Sequence, residues 1–301
     1  MSASIGPTHI SRDFGVSKDR LSGYFPDLAV SRAAPLLQAR LPNPLNWMPL
    51  ELRLNQVKQA LAARSLTRSF EAHVNLQLAQ KGHIEIGLID DFRPGRTHGL
   101  NVEQRIRANA PPELKGRIGV KRYDIGGLTG DRRAAVMQLA AADAQAKRVV
   151  ALSLSGGMEP YKVDSIQTWI GRPLDDASAG HAFNVISDKA KLSPTEKYAW
   201  DQINLASKRI PVVTPIWNDG RTTLGALRLG SHSSNGLVTS IDSSSSSRAT
   251  EIPGLDLIRM PAQVGNGFAS QSAAVLIGQM LWTVDIKLIP TPQPGPRPGS
   301  R

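Results

Sequence analysis

The chain has 301 residues, 41% of them hydrophobic, no cysteine and a formal net charge of +11. That length and composition support one sizeable core with extra elements, or two small domains, and exclude a disordered chain. The missing cysteines exclude disulfides, thiolate metal sites and a cysteine nucleophile. No apolar run approaches the ~18–20 residues of a membrane-spanning helix, so no membrane partner is expected.

Residues 1–49 are rich in Ser, Pro and Arg and lack periodicity, so an irregular N-terminal segment is expected. The opening MSASIGPTHISRDF has no apolar h-region. Cytoplasmic residence is therefore the default expectation, with signal-independent export left open. Leu50, Leu54, Val57 and Leu61 follow Pro49 at helical spacing, which predicts an amphipathic helix. A second helix is predicted over 67–79, so residues 50–80 read as a helical extension. It precedes a main domain spanning 81–285.

Within that domain strands and helices alternate. His83–Ile89 reads as a strand, Thr97 to about Ala108 as a helix closed by Pro111 and Pro112, and Ile118 opens a short strand. Asp131 is the predicted N-cap of a helix to about Lys147. Arg148–Leu154 is a continuous apolar run, as buried parallel strands have. Ser193-Pro194-Thr195-Glu196 is a capping box with proline at the first helical position, opening a helix to about Lys208. Ile210–Ile216 is the next strand, and Phe268–Leu281 a long apolar helix. From Pro290 to Pro298 every second residue is proline, so 286–301 reads as an extended tail. The alternation predicts an α/β fold: a mostly parallel sheet with helices on both faces.

The positive charge is spread along the chain. Residues 93–133 carry ten Lys/Arg against four Asp/Glu, and 1–80 carry nine against five. Neither stretch interleaves aromatics as a single-strand binding face does, so a basic, solvated surface is expected and nucleic acid is disfavoured. The segment after the first strand, Asp90-Asp91-Phe92-Arg93-Pro94, would repel a phosphate and lacks the glycine spacing of a phosphate loop. No two histidines lie at ligand spacing, and neither a metal nor a cofactor is expected.

Chemistry in parallel sheets gathers at the carboxyl ends of the strands. Four motifs fall at such places: Asp90 after a buried strand, His98-Gly99 at a helix start, Asn218 past a later strand, and Gly265–Gln271 leading into the apolar helix. Acyl transfer needs a nucleophile, an imidazole, a carboxylate that holds the imidazole's tautomer, and an oxyanion donor. Asp90, His98 and Asn218 are candidates for three of those roles.

These motifs resemble the subtilisin-like serine peptidases. LIDDF is similar to the family's aspartate motif and HGLNV to its histidine motif. RVVALSLSGG is similar to its cleft-lining strand, IPVVTPIWNDG to its oxyanion strand, and GNGFASQSAAVLIGQM to its serine motif and following helix. The resemblance spans roughly 83–281 in family order. It implies a three-layer core with Asp90 orienting His98, His98 as general base and Asn218 as oxyanion donor. An edge made of Ser153, Leu154, Gly156 and Gly157 would pair with an extended peptide. Aligned through Gly265 and Ala269, the nucleophile position falls on Gly267, which has no side chain to acylate. Ser270 then lies about one helical turn further on, displaced by roughly 4–5 Å. The run Ser243–Ser247 reads as solvated loop, and Trp217 stands where it could crowd a substrate. The expectation is a subtilisin-like fold with its hydrolytic chemistry lost or reduced, binding a peptide or protein in the cleft. The alternatives are an active peptidase using another serine such as Ser270 or with Gly267 an introduced inactivation, and a basic nucleic-acid-binding α/β protein.

Overall fold

The apolar strands pair side by side in the computed structural model, which describes residues 49–154, 160–217, 221–241, 257–260 and 269–287. Two helices come first, α1 (Leu50–Ala63) and α2 (Thr67–Lys81). They lead into β1 (Ile84–Asp90), α3 (His98–Asn109), β2 (Ile118–Asp124), α4 (Gly130–Gln145) and β3 (Ala151–Leu154). Next come β4 (Pro160–Lys162), α5 (Val163–Ile170), α6 (Asp176–Lys189), α7 (Pro194–Ser207) and β5 (Val212–Pro215). The last are β6 (Arg221–Thr223), α8 (Leu224–Leu229), β7 (Leu237–Ile241), β8 (Leu257–Met260) and α9 (Ala269–Met280). Six strands form one sheet in the order β2-β1-β3-β5-β7-β8, while β4 and β6 make a separate antiparallel ribbon. All pairings in the larger sheet are parallel. The protein is α/β, with helices on both faces of that sheet.

Side chains alternate between the faces of a strand, and β1 divides accordingly. Ile84, Ile86 and Leu88 pack with Val57 and Leu61 of α1, Phe70 and Val74 of α2, Val102 and Ile106 of α3, and Ala273–Ile277 of α9. Ile89 points the other way, into a cluster with Met137 of α4, Ile166 of α5, Phe183 of α6, Ile203 of α7 and Leu227 of α8. The apolar stripe predicted after Pro49 thus finds its partner in the core, with Leu50, Val57 and Leu61 buried. Phe70 is almost wholly buried. Truncating it to alanine is expected to cost about 3–5 kcal/mol, measurable as a lower urea midpoint at unchanged slope.

The chain steps from β1 outward to β2, then back past β1 to β3. Right-handed crossovers require the connecting helix to change face when the direction reverses. That is why α3 lies on one face and α4 on the other. The reversal puts a switch point between β1 and β3, and in open α/β sheets the crevice outside the strands' carboxyl ends at such a point is where ligands bind. Asp90 is the last residue of β1.

Several boundaries differ from the sequence reading. The strand expected over 148–154 begins at Ala151, although Val149 and Val150 are fully buried. Asp131 does not cap α4. Thr129 is at the N-cap, and Asp131, inside the first turn, accepts the Ser193 hydroxyl at 2.6 Å. Helices α5 and α6 occupy a stretch that the sequence reading left unassigned. Helix α6 opens on a reciprocal box between Asp175 and Ser178. The predicted box before α7 is present: Glu196 N–H donates to Ser193 Oγ at 3.1 Å, and Ser193 N–H to Glu196 Oε2 at 3.0 Å. Ser193→Ala should cost about 1 kcal/mol, again read from the denaturant midpoint.

The irregular N-terminal segment, the proline-rich tail, Ser243–Ser247, Gly156, Gly157, Asn218 and Gly267 lie outside the described residues. Among the described residues, no helix is long and apolar enough to cross a membrane.

Candidate active site

Asp90 continues the even-numbered face of β1, so its side chain leaves the strand on the side of α3 and α9. It is fully buried. The loop back to α3 is only seven residues long, and hydrogen bonds to the end of β2 hold its start. Ile125 N–H donates to Asp90 O, and Phe92 N–H to Asp124 Oδ1 at the end of β2. Asp91, the other half of the acidic pair, points elsewhere. It takes Arg93 in a two-pronged contact of 2.9 and 2.6 Å, and that hydrogen bonding holds its carboxyl at about 2. Two adjacent aspartates therefore have separate tasks, and only Asp90 faces the histidine.

Helix α3 begins at His98, and the glycine after it has a packing reason. A Cβ built on Gly99 would stand 2.7 Å from the Phe92 ring. With that contact free, the first turn of α3 settles against the loop and His98 reaches the end of β1. His98 Nδ1 lies 2.7 Å from Asp90 Oδ1. Its Nε2 lies 2.9 Å from Ser270 Oγ. An ionised Asp90 can only accept, so Nδ1 carries the proton and donates to it. In neutral imidazole Nε2 is then the acceptor, receiving the Ser270 hydroxyl proton.

The three groups are graded in exposure. Asp90 is fully buried and Ser270 is nearly so, while the His98 side chain is 42% exposed. The hydrogen bond that His98 Nδ1–H donates to Asp90 favours imidazolium and raises the His98 pKa above its ordinary value, against burial, which lowers it. Asp90 Oδ1 also accepts from Asp91 N–H at 2.6 Å. Its Oδ2 is buried and has no hydrogen-bond partner among the described residues.

Ser270 overturns its expected displacement. Helix α9 begins at Ala269, so Ser270 stands in the first turn and its hydroxyl meets the imidazole directly. Gly267, the position given by the alignment through Gly265 and Ala269, lies outside the described residues, whereas Ser270, three residues on, is within hydrogen-bonding distance of the imidazole. The signal that could have located Ser270 was the helix start itself, since a serine there projects from the carboxyl edge where Asp90 and His98 also stand. Two residues on, Ser272 Oγ and Thr239 Oγ1 of β7 share a buried hydrogen bond of 2.7 Å. It ties the first turn of α9 to the sheet.

Ser153 and Leu154 are both fully buried, and Leu154 belongs to the core cluster on the far face from α9. A substrate edge at these residues would therefore use backbone groups and not side chains. Trp217 is 40% exposed just past β5. Among the described residues, no group of three or more His, Cys, Asp or Glu is arranged to hold a metal ion.

No protein-family model matches the chain, and no curated protein matches it.

Proposed function

We propose that this protein is a serine hydrolase of the subtilisin-like kind, cleaving peptide bonds with Ser270 as nucleophile, His98 as general base and acid, and Asp90 as the group that holds the imidazole's tautomer. One observation carries the reading: His98 is hydrogen-bonded to a buried carboxylate on one nitrogen and to a serine hydroxyl on the other. The nucleophile–base–orienter chain is the recognisable signature of this chemistry. Its members arrive in the order Asp, His, Ser, as in subtilisin.

Ser270 Oγ attacks the scissile carbonyl carbon as its proton passes to His98 Nε2. The tetrahedral intermediate collapses, the C–N bond breaks, and His98 returns the proton to the departing amine. Water, activated by the same imidazole, then releases the acyl group. Asp90 stays ionised and stabilises the imidazolium. The first four amides of α9 have no intrahelical acceptor, and the positive end of the helix favours the oxyanion. Asn218, past β5, is the side-chain donor that the family resemblance supplies. The substrate is an extended peptide or protein segment pairing with the backbone at the end of β3. This reading takes up the alternative in which Ser270 is the nucleophile, and its support is the Ser270 hydrogen bond to His98.

The test is a fluorophosphonate probe on the purified full chain, with the modified residue located by peptide mass analysis. Ser270 is the expected site. A Gly267→Ser variant should label at the same residue and rate. Transfer of the label to position 267, or no labelling of either form, would sink the proposal.

A further inference from the structure

Helices α3 and α9 carry the two halves of the proton-transfer pair at their first turns, and they stay in step over the next two turns. His98 meets Ser270 across a separation of 172 residues. Eight residues further along each helix the same separation brings Ile106 against Gly278. Just past the end of α9, Trp282 Nε1–H donates to the carbonyl oxygen of Asn109 at 2.8 Å. The two helices therefore run parallel in one fixed register, with the imidazole–hydroxyl bond at one end of the seam and the Trp282 bond at the other.

Gly278 sets how closely the seam can close. A Cβ built there would lie 2.8 Å from the Ile106 carbonyl oxygen, 2.8 Å from Asn109 Cβ and 3.0 Å from Asn109 C. Two of those atoms are helical backbone, which cannot rotate out of the way as a side chain does. We infer that Gly278 is a positioning residue for the catalytic pair: its missing side chain lets α9 approach α3 closely enough for Ser270 to reach His98. This rests on the triad reading for its functional consequence, though not for its geometry.

Alanine at 278 would need the helices to part by about 0.7 Å to restore ordinary carbon contacts. Transmitted along the seam, that stretches a 2.9 Å bond beyond hydrogen-bonding distance. Misplacement of ~1 Å at a reacting pair can cost on the order of a hundredfold.

The experiment compares full-length wild type, Gly278→Ala, Ser270→Ala and Ile203→Val. Ile203 is buried in the opposite helical layer, so it serves as a control for lost stability alone. Gly278→Ala should lower kcat roughly 10- to 100-fold with little change in KM. Ile203→Val should keep kcat even where its melting temperature falls. The second readout is the nitrogen NMR of His98. Gly278→Ala should move Nε2 toward its value in Ser270→Ala and leave Nδ1, still bonded to Asp90, in place. Should Gly278→Ala fail to fold, Trp282→Phe removes the other lock on the seam and should shift Nε2 in the same direction, with a smaller loss of kcat. An Nε2 signal unchanged in the folded variant overturns the inference. Lack of fluorophosphonate labelling in wild type would count against the hydrolase reading instead, and the Nε2 shifts would still decide the role of Gly278.

Discussion

Replacing Ser270 with alanine should abolish fluorophosphonate labelling and reduce peptide hydrolysis by on the order of 10⁶-fold in kcat. The loss is that large because, in the proposed mechanism, the three groups act as one unit. Without the hydroxyl, His98 has no proton to accept, and Asp90 orients an imidazole that has nothing to activate. What remains is binding and oxyanion stabilisation, worth a residual ~10³–10⁴-fold over water in enzymes of this type. His98→Ala should do nearly the same damage, and the double variant should be little worse than either single one. That non-additivity separates a working triad from three residues that merely adjoin. Ser270 Oγ is a small buried group hydrogen-bonded to a half-exposed His98, so the melting temperature should change little. If Ser270→Ala keeps wild-type turnover, the assignment fails.

Asp90→Asn should leave the fold intact and lower kcat about 10⁴-fold. An asparagine amide can donate to Nδ1, which puts the imidazole proton on Nε2, where it cannot accept from Ser270. The pH dependence gives a second readout. His98 must be neutral to act as base, and Asp90 raises its pKa. Activity in the wild type should therefore rise with pH through a midpoint above the ordinary histidine value of ~6.5. In Asp90→Asn that hydrogen bond to imidazolium is gone and the midpoint should fall. The linkage to stability has the opposite sense. A histidine whose folded pKa is raised contributes stability that is fully present below its unfolded pKa and is lost as pH rises through the folded pKa. Wild type should thus lose part of its advantage over Asp90→Asn on going from mildly acidic to mildly alkaline solution. A midpoint unmoved by the substitution would mean that Asp90 does not govern His98.

Much of this architecture was readable without coordinates. The even-spaced apolar residues from Ile84 to Leu88 pointed to a strand, and the continuous apolar run ending at Leu154 to a buried parallel one. The Ser193–Glu196 box located α7 because capping is a local contact between residues three apart. Asp90 and His98 were legible as a pair for the same reason, a short loop joining a strand end to a helix start. Helices α5 and α6 were not, since α5 is short and their burial comes from packing of α5 against α6 and of α6 against α8. The glycine at 99 looked like part of a motif, yet its physical reason, the Phe92 ring beneath it, is a tertiary contact.

Residue types at strand ends and helix starts determined by themselves which groups were candidates: a carboxylate, an imidazole and an amide side chain, with no cysteine and no phosphate loop to compete. Which serine faces the imidazole was decided by tertiary structure alone. Three residues separate position 267 from Ser270, a difference that motif spacing cannot judge because it depends on where α9 begins and on which face of the helix meets α3. Along that seam lie the bare backbone at Gly278 and the Trp282 contact with Asn109, while the Thr239–Ser272 bond ties α9 to the sheet. Each joins residues far apart in the chain, and a contact of that kind has no periodicity or local signature to betray it before the chain has folded.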